Sequence, residues 1–243
     1  MTQAITLQPR QQAIVAAIGQ AAQRTGVDFA YLLANARAES GLDPTARART
    51  SSATGLFQFT DATWLGVVAR HGAAHGLGWA VDALRAGAGP AAKQAIFALR
   101  HNADVAATMA AEFTRDNAAK LESALGRVAG ASDLYLAAFF GAGGAIKFLT
   151  SMAANPGMAA ASLLPAAAAA NRSTFFAADG RPRSLAEVHD IVAARIQRHG
   201  AGTSLPPTGN RLPPAAAPLP AAADPALAAA RARMAYLVLA AMQ

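Results

Sequence analysis

No stretch of this chain alternates apolar and polar residues for long enough to make a half-buried strand, whereas apolar residues recur at three- and four-residue spacing through much of it. That periodicity, cut at intervals by glycine and proline, reads as an all-α or nearly all-α fold. Hydrophobic residues make up 53% of the chain, but much of that is alanine, a strong helix former that adds little core volume. Aromatics are only 6%, so the few large side chains must carry the packing. A length of 243 residues suits one domain with appendages, or one large domain.

Start and stop signals place the helices. Pro9 sits where a first helical residue would, and Ile14, Val15 and Ile18 support a helix ending before Gly26. Asp28 reads as an N-cap for Phe29 to Ser40, with Phe29, Leu32, Leu33 and Ala36 at helical spacing. Gly41 is a natural stop and Pro44 prevents resumption, so Glu39 falls in the last turn, where the chain opens into the polar loop Asp43 to Ser52. Thr60 caps the next helix, with Asp61 in its first turn and Trp64, Leu65 and Val68 as its inner stripe. Residues 72–90 read as Gly-rich and irregular. Residues 91–125 read as one or two helices, with Asn102 as a cap between them. A helix over 132–153 is interrupted by Gly141, Gly143 and Gly144, which mark either a packing or ligand contact or a break. Asn171, Arg172 and Phe175 read as a structured loop or a cleft lining before a turn at Asp179-Gly180. Ser184 and Glu187 form a capping-box pattern before a helix over 185–198. Residues 201–225 are a Pro/Ala-rich linker, and 226–243 a short helix, too interrupted by Arg231 and Arg233 to span a membrane.

The net charge is +7 and the isoelectric point about 10.7, which suits an anionic polymer or surface. The arginines are scattered, with no basic run interleaved with aromatics, so nucleic acid is not the expected partner. The chain has no cysteine, which excludes disulfides, thiol catalysis and cysteine metal sites. His71 and His75 stand four apart, but Gly72 and Gly76 argue against a helix there, and no metal or cofactor is expected. The segment MTQAITLQPRQQAIVAAIG lacks the basic start, apolar core and small-residue cleavage site of a secretory signal peptide.

Cleaving a glycosidic bond needs an acid still protonated near neutrality, and a partly buried carboxyl on a cleft wall supplies one, because desolvation disfavours the charged form. Glu39 has apolar neighbours on its helix and a loop after it, which is suitable but not specific. The surrounding residues are more telling. Ala38-Glu39-Ser40-Gly41-Leu42-Asp43-Pro44, then Ser52-Ala53-Thr54-Gly55-Leu56-Phe57-Gln58-Phe59 and Ala62-Thr63-Trp64, resemble the soluble lytic transglycosylases of the lysozyme-like superfamily. The stretch Leu136 to Gly144 is loosely similar to that family's second signature, Ala-Tyr-Asn-Ala-Gly. The resemblance covers residues 28–65 well and 132–149 loosely.

The resemblance implies a lysozyme-like domain over residues 1–200 that cuts peptidoglycan strands in the cell envelope. Glu39 matches the family's general acid/base, and Ser40 the serine beside it, which orients the carboxyl or the sugar. Gln58 matches a substrate-binding glutamine, and Phe57 stands where methionine packs against a sugar face. Phe139 and Phe140 depart from the pattern, replacing its tyrosine and asparagine, so the hydroxyl that usually supports the acid is missing there. Tyr135, one turn earlier, is placed to supply one from the same helix face; the alternative is that Tyr135, Phe139 and Phe140 are ordinary core aromatics. Most glycosidases use two carboxylates. The family's chemistry needs one, because the muramic acid's own C6 hydroxyl closes a 1,6-anhydro ring. Asp43 and Asp61 have local explanations in the sequence, but Asp104 or Asp133 folding inward would give a hydrolytic muramidase instead. An inactive glycan-binding or assembly module is the third reading, and the terminal helix suggests docking to envelope machinery.

Overall fold

The computed structural model describes residues 9–49 and 51–200. The expected linker over 201–225 and terminal helix over 226–243 lie outside the described residues. The fold is all-α: α1 (Pro9–Thr25), α2 (Phe29–Ser40), α3 (Asp61–His71), α4 (Gly78–Arg85), α5 (Pro90–Ala98), α6 (Ala103–Leu125), α7 (Ala131–Ala154), three short helices α8 (Ala160–Leu163), α9 (Pro165–Ala170) and α10 (Arg172–Phe175), and α11 (Leu185–Gly200). Extended pairing among the described residues is confined to isolated bridges.

The caps read from the sequence do the work expected of them. Asp28 Oδ1 accepts from Tyr31 N at 2.7 Å, and Gly41 ends α2 in the left-handed conformation. Thr60 Oγ1 accepts from Thr63 N, and Asn102 Oδ1 from Val105 N. Ser184 and Glu187 bond each other's backbone N–H at the start of α11. The same Glu187 carboxyl meets Arg181, and it is held down to about 2 chiefly by that hydrogen bond.

Helix α6 is the central post. Its buried face runs from Ala106 to Leu121, and α1, α3, α7 and part of α2 pack on it. Small alanines bring these helices close, and a few large side chains fill what remains: Trp64, Tyr135, Phe148, Phe175 and Ile18 are fully buried in a core reaching from Ile14 to Ile196. Trp64 Nε1 donates to Ile96 O at 2.8 Å, so the buried indole keeps its hydrogen bond. The inner stripe of α3 is Trp64, Val67 and Val68, with Leu65 only half-buried.

One expectation changes and one alternative is decided. Residues 72–90 are not irregular: a 3-10 turn over Gly72–His75 leads into α4, which buries Ala80 and Val81. The glycines there flank the elements instead of interrupting them. A Cβ on Gly72 would stand 3.1 Å from Val81, so that glycine marks close packing. Helix α7 breaks at Gly141, whose φ of 73° and ψ of 158° no helix accommodates, so of the alternatives left open for its glycines this one marks a break between two helices end to end. By length and composition α7 is apolar enough to cross a membrane. In the fold it breaks midway and packs Leu134, Tyr135, Leu136, Ala145 and Phe148 into the core.

Candidate active site

Glu39 ends α2 half-buried, at the mouth of the loop that links α2 to α3. That loop is held from several sides. Gly55 N donates to Ala46 O at 2.8 Å and Thr54 N to Phe59 O. Arg100, buried at 7% exposure, donates to Ser52 O and Phe59 O and pairs with Asp61 at 2.8 Å. His101 Nδ1 donates to Pro44 O. Sequence reading passed over Arg100; its only signal was an arginine closing the otherwise apolar run Ala95 to Leu99.

Ser40 has a task in the fold. Its one hydroxyl proton goes to Leu56 O at 2.8 Å, with Ala36 O the longer second acceptor at 3.2 Å, and its oxygen accepts from Asp43 N. It therefore clasps the Gly55–Gln58 turn to the end of α2. Phe57 is buried at 8% exposure within the core, which leaves it little ring face for a sugar. Gln58 adopts a left-handed φ of 48°, uncommon for a residue with a Cβ and characteristic of strained functional turns. Its Nε2 donates to Gly55 O at 2.8 Å and Ala46 O at 3.2 Å. Both amide hydrogens are thus spent on the turn, and the carbonyl oxygen is what remains for a ligand.

The opposite wall comes from α7. Tyr135 Oη donates to Glu39 Oε1 at 2.8 Å. The phenol is held well above its ordinary value, first by burial, then by the nearby Glu39 charge, with Arg195 pulling the other way. It is therefore a donor across the working pH range. Phe139, half-buried, packs edge to face on Phe140, which in turn contacts Phe148 and Phe175. That aromatic ladder runs from the end of the first half of α7 across its break to Phe148 and to α10, and supplies no hydroxyl to Glu39.

Two further groups went unnoticed in the sequence. Tyr31 and Asn35 precede Glu39 by eight and four residues, so all three share one face of α2. Tyr31 is buried, hydrogen-bonds Thr114, and has its phenol pushed up by burial and by the neighbouring Tyr135 and Glu39. Asn35 Oδ1 is the one buried side-chain polar atom without a hydrogen-bond partner among the described residues. The wall below Glu39 is thus polar, as suits a cleft better than a sealed core.

Among the described residues, no second carboxylate is in evidence as a partner of Glu39. Asp43 binds Thr45, Asp61 pairs with Arg100, and Asp133 binds Arg127 and Gly130 N. These three have local partners, and Asp104 lies exposed in the first turn of α6.

His71 and His75 belong to a separate cluster on α6. His75 Nε2 meets Glu112 Oε1 at 2.8 Å, His71 and Arg70 meet Asp116, and Arg115 pairs with Glu112. Burial pushes the Glu112 carboxyl up, but the His75 hydrogen bond and the charges of Arg115, His71 and His75 bring it below its ordinary 4.5. A folded-state pKa below the unfolded one means that protonation favours unfolding. The stabilisation is complete above about pH 4.5 and is lost as the pH falls through the folded value. Denaturant midpoints measured from about pH 6 down to about pH 3 should fall less steeply in Glu112→Gln than in the wild type.

The fold is all-α, with a glutamate at a helix end that accepts from a tyrosine of a second helix, next to a serine tied to a Gly-Leu-Phe-Gln turn, as in the lysozyme-like class. Residues 16–75 match the family model described as the transglycosylase SLT domain. Those residues are consistent with the soluble lytic transglycosylase family, and a domain of that kind supports a function on peptidoglycan in general. The match spans Glu39, Ser40, Phe57 and Gln58; Tyr135 and Phe139 lie outside it.

Proposed function

We propose that this protein cleaves the β-1,4 bond between N-acetylmuramic acid and N-acetylglucosamine in peptidoglycan, with Glu39 as the only acid/base and a 1,6-anhydro product. The observation that carries this is the Tyr135 Oη to Glu39 Oε1 hydrogen bond at 2.8 Å, with Asp61 and Asp133 paired to arginines elsewhere and Asp104 exposed on α6.

With Oε1 accepting from Tyr135, the proton of the neutral acid belongs on Oε2, turned to the substrate. Glu39 gives that proton to the glycosidic oxygen as the C1–O bond breaks, and the electron pair leaves with the oxygen. The substrate's acetamido oxygen stabilises the positive C1. The Glu39 carboxylate then takes the proton of the C6 hydroxyl, and O6 bonds to C1. Atoms and charge balance without water or cofactor. Tyr135 stabilises the carboxylate of the middle stage. The Gln58 carbonyl oxygen remains as an acceptor for a sugar N–H or hydroxyl. The setting is the cell envelope, where the family acts.

Mass spectrometry of digested wall material tests the reaction. Anhydro-muramic ends support it, whereas reducing muramic ends would mean a hydrolytic muramidase. Tyr135→Phe removes a hydrogen bond to a charged group, so kcat should fall by about 10- to 100-fold with KM nearly unchanged. A fully retained rate would make Tyr135 a core aromatic only.

A further inference from the structure

Helix α11 closes on the end of α2 through a reciprocal pair of arginine contacts. Arg37 Nη1 on α2 donates to His199 O, and Arg195 Nη2 on α11 donates to Ala38 O at 2.8 Å. Ala38 immediately precedes Glu39. Arg195 is exposed, and among the described residues it makes this one hydrogen bond and meets no carboxylate. In that it differs from Arg100, Arg115, Arg127 and Arg181, each paired with an acid. A guanidinium has five N–H donors in a planar fork that suits a carboxylate. The charge of Arg195 reaches both Tyr135 and His199, the latter lowered first by burial and then by Arg195, Arg198 and Arg37. An exposed cation with no carboxylate partner among the described residues therefore stands against the residue that precedes Glu39, with most of its donors unspent.

We propose that Arg195 determines specificity by binding a carboxylate of the glycan itself, on the lactyl or peptide substituent of the muramyl residue, so that the cleft selects carboxylate-bearing strands over uncharged ones. The proposal rests on the reading of Glu39 as the acid of a peptidoglycan-cleaving site. The competing role is structural: an arginine at a helix C-terminus also satisfies carbonyls and complements the dipole. That role is blind to the charge of the substrate.

The two roles separate on one polymer in two charge states. Purified peptidoglycan, native or with its carboxylates converted to amides by carbodiimide coupling, is given to the full-length wild type, Arg195→Gln, Arg195→Lys and, as a remote charge control, Arg85→Gln. Binding is measured in parallel by co-sedimentation in a Glu39→Gln background. Arg195→Gln should raise KM for native strands about five-fold, leave kcat within about two-fold, and bind native and amidated strands alike. Arg195→Lys should recover part of the preference and Arg85→Gln all of it. An Arg195→Gln variant that keeps the wild-type preference, or that loses equally on both polymers, overturns the proposal while leaving Glu39 as the acid. A wild type that binds both polymers and cleaves neither overturns the Glu39 reading, and this proposal with it.

Discussion

Glu39→Gln should lower the rate of peptidoglycan cleavage by about a thousand-fold or more, with no loss of fold. General acid/base groups contribute about 10²- to 10⁴-fold, and here one group serves both as acid and as base. The substitution is nearly isosteric, and the amide oxygen can still accept the Tyr135 hydroxyl that now meets Oε1 at 2.8 Å. What it removes is the transferable proton. Zymography on purified wall material, paired with a thermal melt, checks both halves of the expectation. A variant that stays folded and retains more than about a tenth of wild-type activity would exclude Glu39 as the proton donor. Preserved binding to strands by that variant would separate loss of chemistry from loss of recognition.

Gly55→Ala should give the largest structural effect of any one-carbon change in the cleft. Gly55 has a φ of 82°, and a Cβ there would stand 2.4 Å from Arg100 O. An L-residue in that conformation costs about 1 kcal/mol, and relieving the contact requires backbone movement costing about 2 kcal/mol more. A total near 3 kcal/mol corresponds to a fall in Tm of about 10 °C for a chain of this size. Activity should fall with it, since Ala46, Gln58 and Ser40 all tie to the 55–58 turn. Chemical denaturation with an unchanged m-value would mark this as lost native stability. A stability within about 0.5 kcal/mol of wild type would mean that the turn tolerates a Cβ.

Both predictions concern residues that the sequence made conspicuous, and for a common reason. Local rules operate over three or four residues, and caps, stops and turn glycines are written at that range. Asp28, Gly41, Thr60, Asn102 and the Ser184-Glu187 pair could be read because each bonds its own neighbours. The glycines at 72 and 76 misled, because the sequence does not say whether a glycine interrupts a helix or flanks it. Ser40 was noticed, but its bond to Leu56 O could not be read, because that partner is supplied by a loop sixteen residues on.

The sequence by itself determined the all-α class, most helix boundaries, and the placing of Glu39 in the last turn of α2, because backbone propensity and capping are local. Only the tertiary structure decided what surrounds that carboxyl. Tyr135 lies 96 residues from Glu39, and Arg195 reaches Ala38 across 157. Those meetings depend on how α7 and α11 pack against α2 and α6, which is set by the filling of the core by large side chains among many alanines. The carboxyl was legible, and Tyr135 was one of two readings for its partner; that the phenol meets it, and that Arg195 stands close by, were products of packing.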